Sequence, residues 1–388
     1  MIRADGPRGT ALLAHPGAEL YGSDRVLLES ATALIDDGWR VVVTVPTGGP
    51  LVAELVARGA EVILCTTPVL RKSALRPLGI LRLLATAAAG FVSGLRLLAR
   101  ERPGVLYVNT MTIPLWQVLG RLRGVPVLCH VHEGEASASR IVRAALALPL
   151  LLSTSIVANS RFSAGVLCDA IPRLRARVVV IYNGIPGPPH PRSPRRRLTA
   201  PVHVTYVGRL SPRKGVDVAI DALALLADRG VNAQLDVVGA TFPGYEWYER
   251  RLREQVKEKQ LDAQVRFHGF QPCIWDVVTA GDVVVVPSLV DEPFGDTAVE
   301  AILSGRPVIA SATSGLLEAT AGYATATTVP PGNPSALADA LQSEIEHWGP
   351  SSAARRGDIA IARCRHGPQV YREQISQCVA SIAGARLA

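Results

Sequence analysis

The chain has 388 residues, of which 48% are hydrophobic and 19% are charged. This composition excludes a disordered or fibrous protein and predicts a globular one, and the length is sufficient for two domains. The formal net charge of +8 belongs to the first half, because residues 1–185 hold 20 Lys and Arg against 12 Asp and Glu, whereas residues 186–388 hold 21 against 21.

Cysteine usage and the amino terminus predict a cytoplasmic protein. The six cysteines show no CxxC spacing and lie mostly in apolar segments, as expected of buried thiols in a reducing compartment. Arg3, Asp5 and Arg8 interrupt the apolar core that a signal peptide needs. The uncharged run between Arg143 and Arg161 has about 17 residues, at the short end of the length that spans a membrane. We therefore expect no convincing transmembrane segment.

The first half alternates short apolar runs with longer helical segments, which predicts βα units in a parallel, doubly wound sheet. After the first strand, Ser23 or Asp24 is the expected N-cap of a helix that runs to Asp37. Gly22 lets a ligand approach the backbone closely, at a helix end that favours anions. The GxGxxG dinucleotide fingerprint is absent from this loop. The predicted strands are 10–14, 40–45, 61–65, 105–109, 126–133, 156–159 and 178–181.

A long apolar stretch, 78–98, is bracketed by cations and predicts a basic amphipathic helix. One interpretation is a helix that packs on the core with a solvated basic face. The other is a helix that rests on an anionic membrane and gives access to a lipid-linked acceptor. Nucleic-acid binding is disfavoured, because aromatic residues make up 5% of the chain and do not interleave with these cations. The cations are Arg71, Lys72, Arg76, Arg82, Arg96, Arg100 and Arg102.

The strand predicted at 126–133 ends in two histidines and an acid. The period of two places His130 and His132 on one face of the strand, with Glu133 following. A metal site and a purely structural role for the histidines both stay open, although spacing provides no third metal ligand.

Residues 183–201 are the clearest domain boundary, because prolines and glycines leave little room for regular structure there. The arginines of this segment are interpreted as solvated, since a nucleic-acid tract is the less common use of such a connector. The predicted organisation is a first domain at 1–185, a linker at 186–201, a second domain at 202–367 and a terminal helical segment at 368–388.

The second half repeats the βα pattern. Its predicted strands are 202–207, 235–239, 265–270, 283–286 and 307–310, and its predicted helices are 216–228, 245–259, one from Ser335, and 368–382. Three cations, Arg209, Arg213 and Lys214, lie just before the helix at 216–228, where the helix dipole disfavours positive charge. This placement predicts that an anion completes the site, although an ordinary surface role is the alternative.

The stretch from Asp291 to Ala301 follows a buried strand and leads into a helix, so it lies at the carboxyl end of a parallel sheet, where open α/β sheets bind ligands. Glu292 and Glu300 flank a glycine turn, and helix amides point into the same space. The alternative is a capping box, in which Thr297 and Glu300 satisfy the first amides of the helix.

Glu292 and Glu300, separated by seven residues around Pro-Phe-Gly and followed by the segment 304–310, resemble the signature of the family 4 retaining glycosyltransferases. The loop with Arg209 and Lys214 closely resembles the diphosphate clamp of that family. The segment 265–270, which ends in Phe270, resembles the family's base-binding segment, and 178–184 resembles its exit from the first domain.

The resemblance implies an α/β protein of GT-B fold, with two Rossmann-like parallel-sheet domains that face a central cleft. The first domain would bind the acceptor, the second the nucleotide sugar, and the helix at 368–388 would cross back to the first. The implied reaction moves a hexosyl group with retention, without metal or cofactor, from a UDP- or GDP-linked sugar to a carbohydrate or lipid-linked acceptor. Localisation would be cytoplasmic, with peripheral contact to the inner face of the cell membrane.

The resemblance also implies a role for each matched residue. Arg209 and Lys214 would hold the departing diphosphate, Glu292 the sugar hydroxyls and Glu300 the ribose hydroxyls. His132 would orient the donor sugar, and Asp296 places an acid beside it. The implied substrate-binding set is Gly22, Phe270, Glu292, Phe294, Gly295, Asp296, Thr297 and Glu300. The alternatives are a nucleotide-sugar epimerase-like enzyme of the same fold and a non-catalytic nucleotide-sugar-binding partner subunit.

Overall fold

Short runs of valine, leucine and isoleucine build two parallel sheets, one in each of two units of the protein. The computed structural model describes residues 8–70, 77–134, 136–242, 244–348 and 352–384. One unit contains the described residues of Met1–Gly184 and Pro368–Ala388, and the other is Ile185–Gly367. Residues 183–201 form neither helix nor strand.

The described residues of the first unit form a seven-stranded parallel sheet in the order β3-β2-β1-β4-β5-β6-β7. The strands are β1 Thr10–Ala14, β2 Arg40–Val45, β3 Glu61–Leu64, β4 Val105–Val108, β5 Val127–Val131, β6 Ser155–Ala158 and β7 Val178–Val180. The helices before the domain boundary are α1 Gly22–Asp36, α2 Pro50–Ala57, α3 Pro77–Glu101, α4 Leu115–Leu122, α5 Arg140–Ala147 and α6 Arg161–Ala170. The strand order reverses direction beside β1, which brings the ends of β1, β4 and β5 together.

The second unit is a six-stranded parallel sheet in the order β10-β9-β8-β11-β12-β13. The strands are β8 Val202–Val207, β9 Ala233–Val238, β10 Val265–Gly269, β11 Val283–Val286, β12 Val308–Ser311 and β13 Ala326–Val329. The helices are α7 Val216–Asp228, α8 Glu246–Glu258, α9 Trp275–Ala280, α10 Asp296–Leu303, α11 Ser314–Thr320, α12 Pro334–Glu346 and α13 Ser352–His366. Here β8 and β11 are neighbours, so the loops that leave them share one edge.

The last helix, α14 (Pro368–Gly384), belongs to the first unit. Its apolar face, which includes Tyr371 and Ile375, lies in the core formed with α1 and one face of the sheet. Tyr371 Oη lies 2.5 Å from Ser30 Oγ, and the Arg372 guanidinium donates to the Glu29 carboxylate at 2.8 Å. The terminal segment thus completes the core of the amino-terminal sheet.

Two differences from the sequence predictions concern residues near the ends of the first sheet's strands. Tyr21 occupies the N-cap of α1, and Asp24 is the third helical residue, whose carboxylate accepts from the Tyr21 backbone N–H at 2.8 Å. The prediction of Ser23 or Asp24 as the cap was therefore wrong by two or three residues. The predicted strand at 126–133 is shorter, so His132 and Glu133 lie in the loop after β5.

Candidate functional site

Lys214 and Glu292 meet at the carboxyl edge of the second sheet. Lys214 Nζ lies 2.8 Å from Glu292 Oε1, and Ser288 Oγ donates to the same oxygen at 2.8 Å. Glu292 is 8% exposed, whereas the lysine side chain retains access to solvent. The pair combines a cation and a carboxylate, which can bind an anionic group and hydroxyl groups respectively.

A glycine brings these two loops together. Gly215 has φ +65°, a left-handed conformation that glycine adopts without strain, and a Cβ atom there would lie 1.9 Å from the Pro287 carbonyl oxygen. The Leu289 backbone N–H also donates to the Arg213 carbonyl at 2.8 Å. The loop after β8 is therefore fastened directly to the end of β11, which explains why Lys214 reaches Glu292.

The β11–α10 loop is supported by Arg213 and by two residues that were not predicted as part of the site, Ser314 and Gly315. Ser314 Oγ donates to the Asp291 carboxylate, and an Arg213 guanidinium nitrogen donates to the Asp291 carbonyl at 3.1 Å. The Gly315 backbone N–H donates to the Glu292 carbonyl at 3.1 Å, and a Cβ atom at Gly315 would lie 2.3 Å from that oxygen. Only glycine at this position lets α11 hold Glu292 in place.

The capping-box interpretation of Thr297 and Glu300 is wrong, because α10 begins at Asp296 and Gly295 is its N-cap. Gly295 has φ +135° and, as a glycine, forms no side-chain cap bond. Thr297 Oγ1 instead donates to the Val207 carbonyl at 3.5 Å, a long bond to the end of β8. Asp296 and Glu300, both partly exposed, lie one helical turn apart on the same face of α10.

Phe294, which was predicted to belong to the substrate-binding set, has a buried side chain. Its side chain is 2% exposed and packs against His366, with ring centroids 5.3 Å apart. A buried ring holds the loop rather than contacting a ligand, so only the Phe294 backbone is available for binding. Phe270, by contrast, is 43% exposed after β10.

Arg209 lies on the loop that leaves β8. Its guanidinium carbon is 4.5 Å from the centroid of the Phe242 ring, a cation–π arrangement. The Tyr206 hydroxyl donates to the Arg209 carbonyl at 3.0 Å. A Cβ atom at Gly239 would lie 1.8 Å from the Gly208 carbonyl oxygen, so the loops after β8 and β9 touch through their backbones.

A second group of polar residues lies at the carboxyl edge of the first sheet, within the first unit. His132 Nε2 lies 3.0 Å from Asn109 Oδ1, and Asn109 Nδ2 lies 3.0 Å from His15 Nδ1. His15 Nε2 in turn lies 2.6 Å from Asp24 Oδ1. Gly22, the exposed first residue of α1, lies two residues before Asp24. These residues follow β1, β4 and β5, which are neighbours in the sheet.

Burial shifts the pKa values of His130, His132 and Glu133. It lowers the pKa of His132 to about 3, with a smaller contribution from His15, and lowers the pKa of His130 well below its ordinary value. The same effect raises the pKa of Glu133, whose carboxylate accepts from the Thr110 hydroxyl and from the His132 backbone N–H. Both histidines are therefore neutral near pH 7.

The two histidines lie side by side, with ring centroids 4.0 Å apart, as the period of two predicted. His130 is fully buried and its Nδ1 lies 2.6 Å from the Tyr107 hydroxyl, so its role is structural. Among the described residues, no cluster of His, Cys, Asp or Glu is large enough to hold a metal ion.

The positions of His15 and Asn109 in the sequence indicate a site, although neither was predicted as a site residue. Each follows directly after an apolar strand, and the carboxyl ends of neighbouring parallel strands meet at one edge. Asp24 gave no comparable signal beyond its place in the first turn of a helix.

Two family models match this chain. The model described as Glycosyltransferase Family 4 matches residues 21–187, and the model described as Glycosyl transferases group 1 matches residues 194–360. Between them they include His132 as well as Lys214 and Glu292.

Curated relatives align with parts of the chain. D-inositol 3-phosphate glycosyltransferase of Corynebacterium glutamicum is 36% identical over 177 residues, which are 44% of this chain and 42% of the relative. Glycogen synthase of Mycobacterium tuberculosis is 29% identical over 274 residues, which are 68% of this chain and 64% of the relative. The chain thus matches less than two thirds of the length of either relative.

Solved structures match almost the whole chain. Alr3699/HepE of Anabaena, solved with UDP and glucose, has a TM-score of 0.81 at 22% identity and covers 96% of this chain and 100% of its own. Sucrose-phosphate synthase of Thermosynechococcus elongatus has a TM-score of 0.75 at 20% identity, with 97% and 100% coverage. At these identities the likeness establishes the fold, with two Rossmann-like parallel-sheet domains.

Proposed function

We propose that this protein, which belongs to the group 1, family 4 glycosyltransferases and has their GT-B fold, transfers a hexosyl group from a nucleotide-diphosphate sugar to a carbohydrate or lipid-linked acceptor. The observation that carries the proposal is the Lys214–Glu292 pair at the carboxyl edge of the second sheet. Lys214 and Arg209 bind the departing diphosphate, and Glu292 binds sugar hydroxyls. Glu300, on the exposed side of α10, binds the ribose.

The proposed reaction proceeds with retention and without a metal. Negative charge grows on the diphosphate as the glycosidic bond breaks, and preorganised cations and helix amides stabilise that charge. Arg209, Lys214 and the amides near Thr297 supply these groups from the second unit. The leaving phosphate oxygen then accepts the proton of the attacking hydroxyl, so no protein nucleophile is needed. In the first unit, His132 is the residue proposed to contact a substrate hydroxyl.

Nucleotide binding tests the donor part of this proposal. We expect one nucleoside diphosphate from the set UDP, GDP, dTDP and ADP to raise the melting temperature in the absence of Mg²⁺. A ligand at 100 times its Kd adds about 2.7 kcal/mol to the free energy of unfolding, which a thermal-shift assay resolves. UDP is the first to try, because the Anabaena structure contains UDP.

Glu300→Gln provides the specific control for nucleotide binding. It keeps the size of the side chain and removes the negative charge that we propose binds the ribose hydroxyls. The variant should bind the same nucleotide more weakly. Unchanged affinity in the variant would remove Glu300 from the site, and the absence of any response to all four nucleotides would contradict the donor assignment.

We also propose that the first unit contacts an anionic membrane as a peripheral protein on the cytoplasmic side. By length and composition, the part of α3 at Gly79–Glu101 is apolar enough to cross a membrane, which the sequence analysis did not anticipate. Its carboxyl-terminal half packs on the unit, since a Cβ atom at Gly94 would lie 2.5 Å from Leu119 Cδ1. None of residues 79–89 is buried. An apolar helix whose amino-terminal half is accessible to solvent is suited to lying on a membrane.

The charges around this surface have the sign that anionic lipid attracts. Arg82 and Arg96 are exposed on α3, whereas Arg71, Lys72 and Arg76 lie outside the described residues. The helix α4, which packs against α3, and the helix α5 of the same unit contain arginines and no acidic residue. The exposed apolar side chains of these elements are Ile80, Leu81, Leu84, Phe91, Val92, Val118, Leu122, Ile141, Val142 and Leu146.

Leu81→Asp combined with Leu84→Asp should weaken binding to phosphatidylglycerol-containing vesicles by at least about a hundredfold, because burying each leucine contributes about 1.5–3 kcal/mol and a tenfold change in affinity corresponds to about 1.4 kcal/mol. Vesicle co-sedimentation measures this change. Val179→Asp, at a residue of the first unit that is 48% exposed on β7, is the matched control and should bind like the unaltered protein. Sedimentation that is insensitive to anionic lipid and to the leucine substitutions would contradict membrane contact.

A further inference from the structure

The hydrogen bonds around His132 form one buried chain within the first unit. From His132 the chain passes to Asn109, then to His15, and ends at the Asp24 carboxylate, through contacts of 3.0, 3.0 and 2.6 Å. Asn109 is 0%, His15 is 1% and Asp24 is 6% exposed, so water does not compete for these bonds. A buried chain of this kind determines where each proton lies.

The direction of the chain follows from one carbonyl. Asn109 Nδ2 lies 3.2 Å from the Ser23 carbonyl oxygen, which can only accept a hydrogen bond, so this atom of Asn109 is the nitrogen donor. Asn109 Oδ1 must then accept from His132, which requires a proton on His132 Nε2. By the same logic His15 Nδ1 accepts from Asn109, and His15 Nε2–H donates to Asp24.

The remaining nitrogen of His132 is an acceptor. A neutral imidazole with its proton on Nε2 has a lone pair on Nδ1, and no described residue forms a hydrogen bond with His132 Nδ1. The side chain of His132 is partly exposed, so a ligand can reach it. The titratable groups that face His132 are His15, Asp24, His130 and Glu133, and the carboxylate of Asp24 is separated from it by His15 and Asn109.

We infer that Asp24, His15 and Asn109 are positioning residues that hold His132 as the Nε2–H tautomer, so that Nδ1 accepts a hydrogen bond from a hydroxyl of a sugar substrate. The identity of the ligand rests on the proposed function, whereas the tautomer is a property of the first unit by itself. The amide of Asn109 next to His132 has no charge and therefore does not stabilise the protonated imidazole. An adjacent carboxylate would stabilise the imidazolium, which has no acceptor nitrogen.

The tautomer can be measured without an activity assay. In protein labelled with ¹⁵N-histidine, correlation spectra of the ring nitrogens distinguish the two neutral tautomers and the imidazolium, and His132→Gln identifies the signals of His132. We expect the Nε2–H tautomer with no titration between about pH 5.5 and 8, where an ordinary histidine titrates near 6.5. An Nδ1–H tautomer, or a midpoint near 6.5 in the unaltered protein, would overturn the inference.

Asn109→Asp then tests whether this chain of hydrogen bonds keeps His132 neutral. A carboxylate beside Nε2 should raise the pKa of His132, so that His132 titrates within the same pH range. Once a sugar substrate is known, its kcat/KM should fall by about tenfold, the equivalent of one lost hydrogen bond, and most strongly at low pH. Gln377→Glu places a carboxylate of the same charge on an exposed residue of α14 in the same unit, and should leave the His132 signals unchanged. If Asn109→Asp leaves His132 neutral throughout, the chain does not control the tautomer.

The two proposals fail in different ways. Correct NMR behaviour together with no glycosyl transfer would remove the proposed substrate and leave the positioning chain intact. Glycosyl transfer together with the wrong tautomer would retain the proposed substrate and overturn the positioning chain.

Discussion

Lys214→Ala is expected to lower turnover by about 10²- to 10³-fold, the effect of removing one preorganised group that stabilises transition-state charge. The lysine follows β8 and its ammonium lies 2.8 Å from Glu292 Oε1, so its position is determined by a carboxylate that is nearly buried. In the proposed reaction this ammonium faces the charge that grows on the departing diphosphate. Steady-state transfer kinetics with the nucleotide sugar identified by the binding panel provide the measurement.

The substitution also leaves Glu292 without its cation, and this structural effect has to be separated from the chemical one. Lys259→Ala is a matched control, because Lys259 Nζ lies 2.9 Å from Asp221 Oδ1 in the same unit, away from the β8 and β11 loops. We expect Lys259→Ala to retain turnover, and both variants to melt near the unaltered protein. Near-normal turnover of Lys214→Ala would contradict the diphosphate role, whereas equal losses in both variants would indicate a general loss of folding.

Tyr371→Ala is expected to lower the free energy of unfolding of the first unit by roughly 3–5 kcal/mol, as truncation of large buried aromatic residues does. Tyr371 is 1% exposed on α14 and its hydroxyl is bonded to Ser30 of α1. A Cβ atom at Gly184 would lie 2.9 Å from Tyr371 Cβ, so the chain packs tightly on both sides of this ring. Differential scanning calorimetry, in which the transition of the first unit shifts, measures the loss.

Gln369→Ala is the control on the same helix. Gln369 is exposed and donates to Glu373 one turn later, so its truncation should change the free energy of unfolding by no more than about 0.5 kcal/mol. If Tyr371→Ala behaves like this control, α14 does not contribute to the stability of the amino-terminal sheet.

The elements themselves were predictable, because strand and helix patterns are local. The strands β1, β2, β8 and β11 and the helix α7 have the predicted bounds, since each is a run of apolar residues with clear turn signals at its ends. The GT-B family was also predictable, from the motifs around Lys214, Glu292 and Glu300. The N-cap of α1 was not predictable in this way. The Asp24 carboxylate accepts a hydrogen bond from the Tyr21 backbone N–H, and this bond determines that Tyr21 is the cap.

Contacts between distant residues were decided only by the tertiary structure. The sequence places a lysine after one strand and a glutamate after another, and it contains both glycines that allow close packing at Gly215 and Gly315. That β8 and β11 are neighbours, so that the lysine and the glutamate form an ion pair, depends on strand order across the whole unit. The burial of Phe294 and the direction of the chain from Asp24 to His132 likewise depend on groups that only folding brings within hydrogen-bond distance.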